Sequence, residues 1–361
     1  MEPDTDQLLE ATTALIPPLL TALDALGHAG RYLHPPELPA VIERVLPYRD
    51  GLADGLTAFT ALEWPDHLKR FEAHCVESAQ QALQAFDGLA GAADQANPAM
   101  GAYRAMGANT RAVEALYPVS LMLPPVSRFF LNEPYRDDAV LLEKLASADA
   151  GRDNVGVMHA ANTTRERGGF SMYVPEYYQD EKMPLIVAMH GGSGHGRGFL
   201  WTWIREARTR GAIVLSPTSQ AGTWSLMGPD IDSENLDRMV LHVREYWNID
   251  NDRILLTGMS DGGTFSYVTG LRANAPFTHL APSSASFHPM LIEFAERELK
   301  GLPIYLMHGV LDWMFPVDVA RTANDTFTRA GADVVYREID DLSHTYPREE
   351  NARIMDWLLG G

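Results

Sequence analysis

The chain has 361 residues, 46% of them hydrophobic and 21% charged, enough for two ordinary domains or one large one with a packed core rather than a disordered polymer. Its formal net charge of −19 opposes nucleic-acid phosphates and anionic lipid surfaces, and no Lys/Arg cluster runs against that balance. A single cysteine, Cys75, excludes an intramolecular disulfide and a four-cysteine zinc site.

In chain order, the acidic start MEPDTDQLLE lacks the basic-then-apolar layout of a signal peptide. No run of about 20 apolar residues follows, so a cytoplasmic protein without a transmembrane segment is expected. Residues 1–150 read as a helical domain. Residues 6–26 form one candidate helix, which Pro17-Pro18 should kink or split. PPEL at 35–38 and ALEWP at 61–65 read as inter-helix turns. Over 66–89, Leu68, Phe71, Cys75, Val76, Ala79, Leu83 and Phe86 recur at three- and four-residue steps and make one apolar stripe. Asp66 is the candidate N-cap of that helix, and Cys75 is expected to be a buried thiol. Residues 102–122 give a further helix. No motif assigns these helices a task; support, dimerisation or a lid over a pocket are the alternatives.

From 151 to 361 short β-rich runs alternate with helical stretches. Strands are predicted at 154–159, 169–174, 184–189, 212–216, 253–258, 278–282, 303–308 and 333–339. Helices are predicted near 197–209, 232–247, 261–272, 290–299, 316–330 and 347–359. Apolar strands alternating with helices imply a mainly parallel sheet covered on both faces, an α/β fold. Such sheets bind ligands at the carboxyl ends of their strands.

Four strand ends carry chemistry. HGGSGHGRG (190–198) follows the third strand, Ser260 the fifth, Asp312 the seventh and His344 the eighth. Ser260 lies in GMSDGG (258–263), a G-x-S-x-G pattern that fits a sharp strand-to-helix turn. A serine hydroxyl needs a base to take its proton; histidine suits that role, and a carboxylate holds the imidazole in the right tautomer. Asp340 and Asp341 rival Asp312 as that carboxylate, and His288 and His308 rival His344. Backbone N–H groups of Asp261 and Gly192 are the expected oxyanion donors, with Ser193 the neighbour easily confused with Gly192. Ser193, Trp224, His288 and Trp313 are candidate pocket residues; core packing is the alternative for Trp201, Trp203, Trp224 and Trp313 alike. The glycine loop fails both nucleotide patterns: Arg197-Gly198 stand where a phosphate loop needs Lys and Ser/Thr, and Arg197 stands where Gly192 and Gly194 would need the third glycine of G-x-G-x-x-G. His190 and His195 lack a third clustered ligand, so no metal and no cofactor is expected.

From about 168 to 358 the chain resembles α/β-hydrolase serine esterases of the phospholipase/carboxylesterase-like and polyhydroxybutyrate-depolymerase-like group. The resemblance rests on YVP (173–175), PLIVAMHGGSG (184–194), RILLTGMSDGG (253–263), the HG-x-x-D-x-x-x-P stretch (308–316) and SHTYP (343–347). It implies Ser260 as nucleophile, Asp312 as acid and His344 as base in the hydrolysis of a small-molecule or lipid-like ester; the net charge already argues against a nucleic-acid partner. An oligomer through the helical domain is compatible with it. Two other readings stand beside it: a serine peptidase of the prolyl-oligopeptidase type, and a non-catalytic binding protein on a hydrolase fold.

Overall fold

The computed structural model describes residues 5–149 and 151–360. They divide into two compact units, one ending at Leu131 and the other running from Asn132. The division precedes the change of sequence grammar near 150, because helix α7 (Ala139–Ser147) clusters with the second unit.

In the first unit, helices α1 (Thr5–Arg31), α2 (Leu38–Val45), α3 (Tyr48–Thr60), α4 (Lys69–Ala90), α5 (Pro98–Leu116) and α6 (Pro124–Phe129) pack on one another. Pro17 and Pro18 neither split nor end α1. Pro18 lacks the N–H that would bond Ala14 O, a loss worth about 3 kcal/mol in a free helix. Burial of Leu15, Ile16 and Leu19 on both sides of the prolines offsets it. Helix α3 closes on this stretch, and a Cβ on Gly55 would stand 2.5 Å from Ala14 O. By length and composition α1 is also apolar enough to cross a membrane, which the proline pair conceals in the sequence; 39% of its most apolar 18-residue window is buried in the unit.

Asp66 caps nothing. Asp66–Leu68 is a short 3-10 turn ahead of α4, and the side-chain cap falls instead to Asn97, whose Oδ1 accepts the Met100 N–H of α5 at 3.1 Å. PPEL likewise becomes a 3-10 turn (Pro35–Glu37) leading into α2. Cys75 is fully buried, and burial pushes its thiol up to about 12.

In the second unit, strands β1 (Gly156–Ala160), β2 (Phe170–Val174), β3 (Met183–Met189), β4 (Ile213–Pro217), β5 (Ile249–Met259), β6 (His279–Ser283), β7 (Pro303–Gly309) and β8 (Asp333–Ile339) form one sheet, in the order β1-β2-β4-β3-β5-β6-β7-β8. β1 and β2 are antiparallel to their neighbours, and all pairs from β4 to β8 are parallel. Every residue of β3 and β4 is buried, as strands covered on both faces require. β5 begins four residues earlier than the strand predicted at 253–258. Met183 pairs with Ile249 and Leu185 with Ile254, so a register irregularity admits the polar Asp250–Arg253 stretch. Between the strands lie α8 (Gly196–Phe199), α9 (Ile204–Arg210), α10 (Ser233–Tyr246), α11 (Asp261–Gly270), α12 (Met290–Glu293), α13 (Asp318–Arg329) and α14 (Glu350–Leu359).

Candidate active site

Ser260 stands between β5 and α11 with φ 55° and ψ −119°, a conformation that L side chains rarely adopt. The turn is held from both sides: Ser260 N–H donates to Ser283 O at 2.9 Å, and Thr264 N–H to Ser260 O at 2.8 Å. The glycines of the motif let three backbones converge. A Cβ on Gly262 would stand 2.5 Å from His190 O, and one on Gly258 would stand 2.6 Å from the Gly262 carbonyl carbon. Helix α11 therefore begins directly under the end of β3, with Ser260 at its head.

The loops after β7 and β8 clasp each other. Leu311 N–H donates to Leu342 O at 3.0 Å, and Gly309 passes so close to Leu342 that any side chain would collide with it. This brings Asp312 to His344. Asp312 Oδ2 lies 2.8 Å from His344 Nδ1, and His344 Nε2 lies 3.0 Å from Ser260 Oγ. An ionised carboxylate only accepts, so Nδ1 carries the proton and Nε2 is the acceptor facing the serine hydroxyl. All three side chains are buried.

Asp312 is further fixed by its own loop. Its Oδ1 accepts the N–H groups of Met314 and Phe315, both at 2.9 Å. Burial on its own would raise this carboxyl; the hydrogen bond and attraction from His344, with the Phe315 N–H, outweigh burial and hold it below the usual range. The Phe315 ring meets His344 edge-on at 5.4 Å. His308 Nε2–H donates to Phe315 O at 2.9 Å and lies 3.5 Å from Asp312 Oδ2, and burial lowers its basicity. His308 thus buttresses the acid's loop and is not joined to Ser260. Asp340 and Asp341 are exposed, and neither is the carboxylate at His344 Nδ1.

The glycine loop after β3 lies alongside. A Cβ on Gly191 would stand 3.4 Å from Ser260 Cβ, and one on Gly192 2.7 Å from Asp261 Oδ2. Ser193 N–H is bound to Gly222 O at 3.0 Å and so is already engaged within the loop. His190 Nδ1–H donates to Gly191 O at 2.7 Å, and its Nε2 accepts Ser219 N–H at 3.1 Å. Burial, with the charge of Arg167 adding, lowers His190 to about 4. His195 accepts Arg197 N–H at 3.1 Å and donates from Nε2 to Glu166 O at 2.8 Å. Both loop histidines therefore serve the backbone, and among the described residues no group of three or more His, Cys, Asp or Glu is placed to hold a metal.

The candidate pocket residues separate. Trp224 is a core residue: it is 3% exposed, stacks on Phe265 at 5.4 Å and donates its indole N–H to His190 O at 2.7 Å. Burial of so large a ring beside α11, with its one polar atom satisfied, leaves it no face for a ligand. His288 is exposed and accepts Met290 N–H at 3.2 Å at the start of α12. Ser193 is exposed on the glycine loop. Trp313, next to Asp312, is 40% exposed, and Trp201 and Trp203 are buried.

Two supports had no signal in the sequence. Arg167, in the loop before β2, donates to Gly194 O at 3.1 Å and to Ser219 Oγ at 2.7 Å, clamping the glycine loop. Thr223 donates to Asp261 Oδ2 at 2.5 Å. Both reach across 27 or more residues, beyond any local pattern.

Residues 232–359 match the family model of phospholipases and carboxylesterases. A bifunctional acetylxylan esterase/xylanase from Neocallimastix patriciarum is 26% identical over 136 residues, 36% of this chain and 19% of that protein. The chain thus spans about a fifth of the length of the curated relative it matches. Similar solved structures include a thermostable esterase (20% identity, TM-score 0.45, 56% of this chain and 62% of that one). Another is the fluorophosphonate-binding serine hydrolase FphF of Staphylococcus aureus (16% identity, TM-score 0.45, 56% of this chain and 97% of that one).

Proposed function

We propose that the second unit, an α/β-hydrolase of the phospholipase/carboxylesterase group, is a serine-dependent carboxylic ester hydrolase that works through an acyl-enzyme. The observation that carries this reading is the unbroken hydrogen-bonded line Ser260 Oγ, His344, Asp312 at a strained strand-to-helix turn.

In acylation, Ser260 Oγ attacks the ester carbonyl carbon while its proton passes to His344 Nε2. Asp312 stabilises the imidazolium so formed and keeps the ring in place. The carbonyl electron pair moves onto oxygen, which the N–H groups of Gly192 and Asp261 receive at the head of α11. When the tetrahedral adduct collapses, the bond to the alcohol oxygen breaks and His344 returns the proton to it. Water then attacks the acyl-serine by the same route, releases the acid and restores Ser260. His190 assists without touching substrate: by holding Gly191 O it fixes the plane of the peptide that carries the Gly192 N–H.

The test is Ser260→Ala, assayed on simple aryl esters and on matched peptides, with fluorophosphonate labelling of the unmodified protein. The expected result is ester turnover reduced by about 10⁴–10⁶-fold, with the label on Ser260 of the parent. Near-normal ester hydrolysis by the variant would overturn the reading, and efficient cleavage of peptides but not esters would transfer it to a peptidase.

A further inference from the structure

We propose that the Asp261 side chain is a specificity determinant, selecting esters that carry a hydrogen-bond donor, above all a protonated amine, within a few bonds of the carbonyl. This rests on the ester-hydrolase reading above. Asp261 follows the nucleophile directly, and its carboxylate lies against Gly192: a Cβ there would stand 2.7 Å from Oδ2 and 3.9 Å from Oδ1. The carboxylate therefore lies against the residue whose N–H the reading above assigns to the oxyanion, one residue from the nucleophile.

Its orientation is fixed. Oδ2 accepts the Thr223 hydroxyl at 2.5 Å, and the neighbouring Trp224 is locked by its stack on Phe265 and its bond to His190 O. Oδ1 accepts no hydrogen bond from the described residues, and no Lys, Arg or His pairs with the group. A half-buried ionised carboxylate with one oxygen unmatched favours a donor from the substrate, and charge-assisted bonds are the strong ones. Negative charge beside a developing oxyanion also opposes the reaction of a plain acyl ester. An ammonium on the substrate offsets both charges in the transition state.

The test uses four aryl esters of nearly equal acyl size: β-alanyl (cationic), 3-hydroxypropionyl (neutral donor), butyryl (neutral, apolar) and hemimalonyl (anionic). Each kcat/KM is divided by the hydroxide-catalysed rate of the same ester. The expected order is β-alanyl, 3-hydroxypropionyl, butyryl, hemimalonyl, with about ten- to a hundredfold between the first and third. In Asp261→Asn and Asp261→Ser the β-alanyl to butyryl ratio should fall to near one, whatever the absolute rates. Equal treatment of β-alanyl and butyryl esters by the unmodified protein overturns the proposal without any variant, and so does a preference that persists in both variants. Hydrolysis of all four esters that survives Ser260→Ala would instead be a failure of the ester-hydrolase reading.

Discussion

The two units bury polar groups very differently. Among the described residues of the first, the buried polar side chains are Ser78, Asn109 and Ser120, and no charged group is buried. Ser78 donates to Ala112 O at 2.8 Å and so ties α4 to α5. The second unit buries Glu176, Glu206, Arg208, Asp232, Asp312 and Glu350, together with His190, His308 and His344. Burying charge is costly unless it is paired, so the contrast marks where chemistry is concentrated. It also shows that burial alone is not enough to find it. Glu176 is matched by Arg208 at 3.1 Å and by the Tyr173 hydroxyl at 2.9 Å, so its charge is paired. Asp312 instead faces a histidine whose other nitrogen faces a serine.

The contrast breaks if Asp312 is just another matched buried charge. Asp312→Asn removes the acceptor that fixes the His344 tautomer, while the amide oxygen can still serve the Met314 and Phe315 N–H groups. A loss of about 10⁴-fold in kcat is expected, with little change in thermal unfolding. Asp340→Asn and Asp341→Asn, on exposed positions, should stay near the parent rate. Steady-state kinetics on one aryl ester, with melting curves for all three variants, decides the matter; an inactive Asp341→Asn beside an active Asp312→Asn would move the acid.

The sequence made the second unit legible because its reactive groups follow strands, and strands read as short apolar runs. Ser260, Asp312 and His344 could be found by asking what comes after each run. The parts that stayed hidden are contacts between distant segments. Nothing near Arg167 announces that it grips Gly194, and nothing near Thr223 announces Asp261. Trp224 reads equally as pocket or core until its neighbours are known. In the first unit local rules misled. Pro17-Pro18 reads as a break, yet burial on either side keeps α1 continuous. Asp66 reads as a cap, yet the chain makes a 3-10 turn there.

A second prediction sharpens the contrast through pH. His190 is held neutral inside the second unit, lowered from 6.5 to about 4 chiefly by burial. In the unfolded chain it takes up its proton near 6.5. Between the two values the unfolded state binds more protons, so stability falls as pH falls from about 6.5 to 4, by up to roughly 3 kcal/mol for this group. Denaturant titrations of the protein and of His190→Gln across that range should show a shallower pH slope in the variant. Parallel slopes would mean that His190 is protonated in the fold, and that its Nε2 does not accept the Ser219 N–H.

The smallest effect concerns the first unit, where burial rather than chemistry sets stability. Asn97 Oδ1 accepts the Met100 N–H, one of the donors at the head of α5 that have no partner within the helix. Asn97→Ala leaves that donor to water and should cost about 1 kcal/mol. Asp66→Ala removes a side chain that accepts no capping hydrogen bond at the turn before α4, so it should change stability by less than about 0.5 kcal/mol. The two substitutions are matched in kind, each replacing a residue that a reader of sequence would accept as an N-cap. Denaturation midpoints of the two variants, measured with a probe in the first unit such as Trp64 fluorescence, therefore compare a cap present in the fold with one present only in the pattern. Equal losses at the two sites would mean that Asp66 caps α4 in solution and that the 3-10 turn gives way to a longer helix.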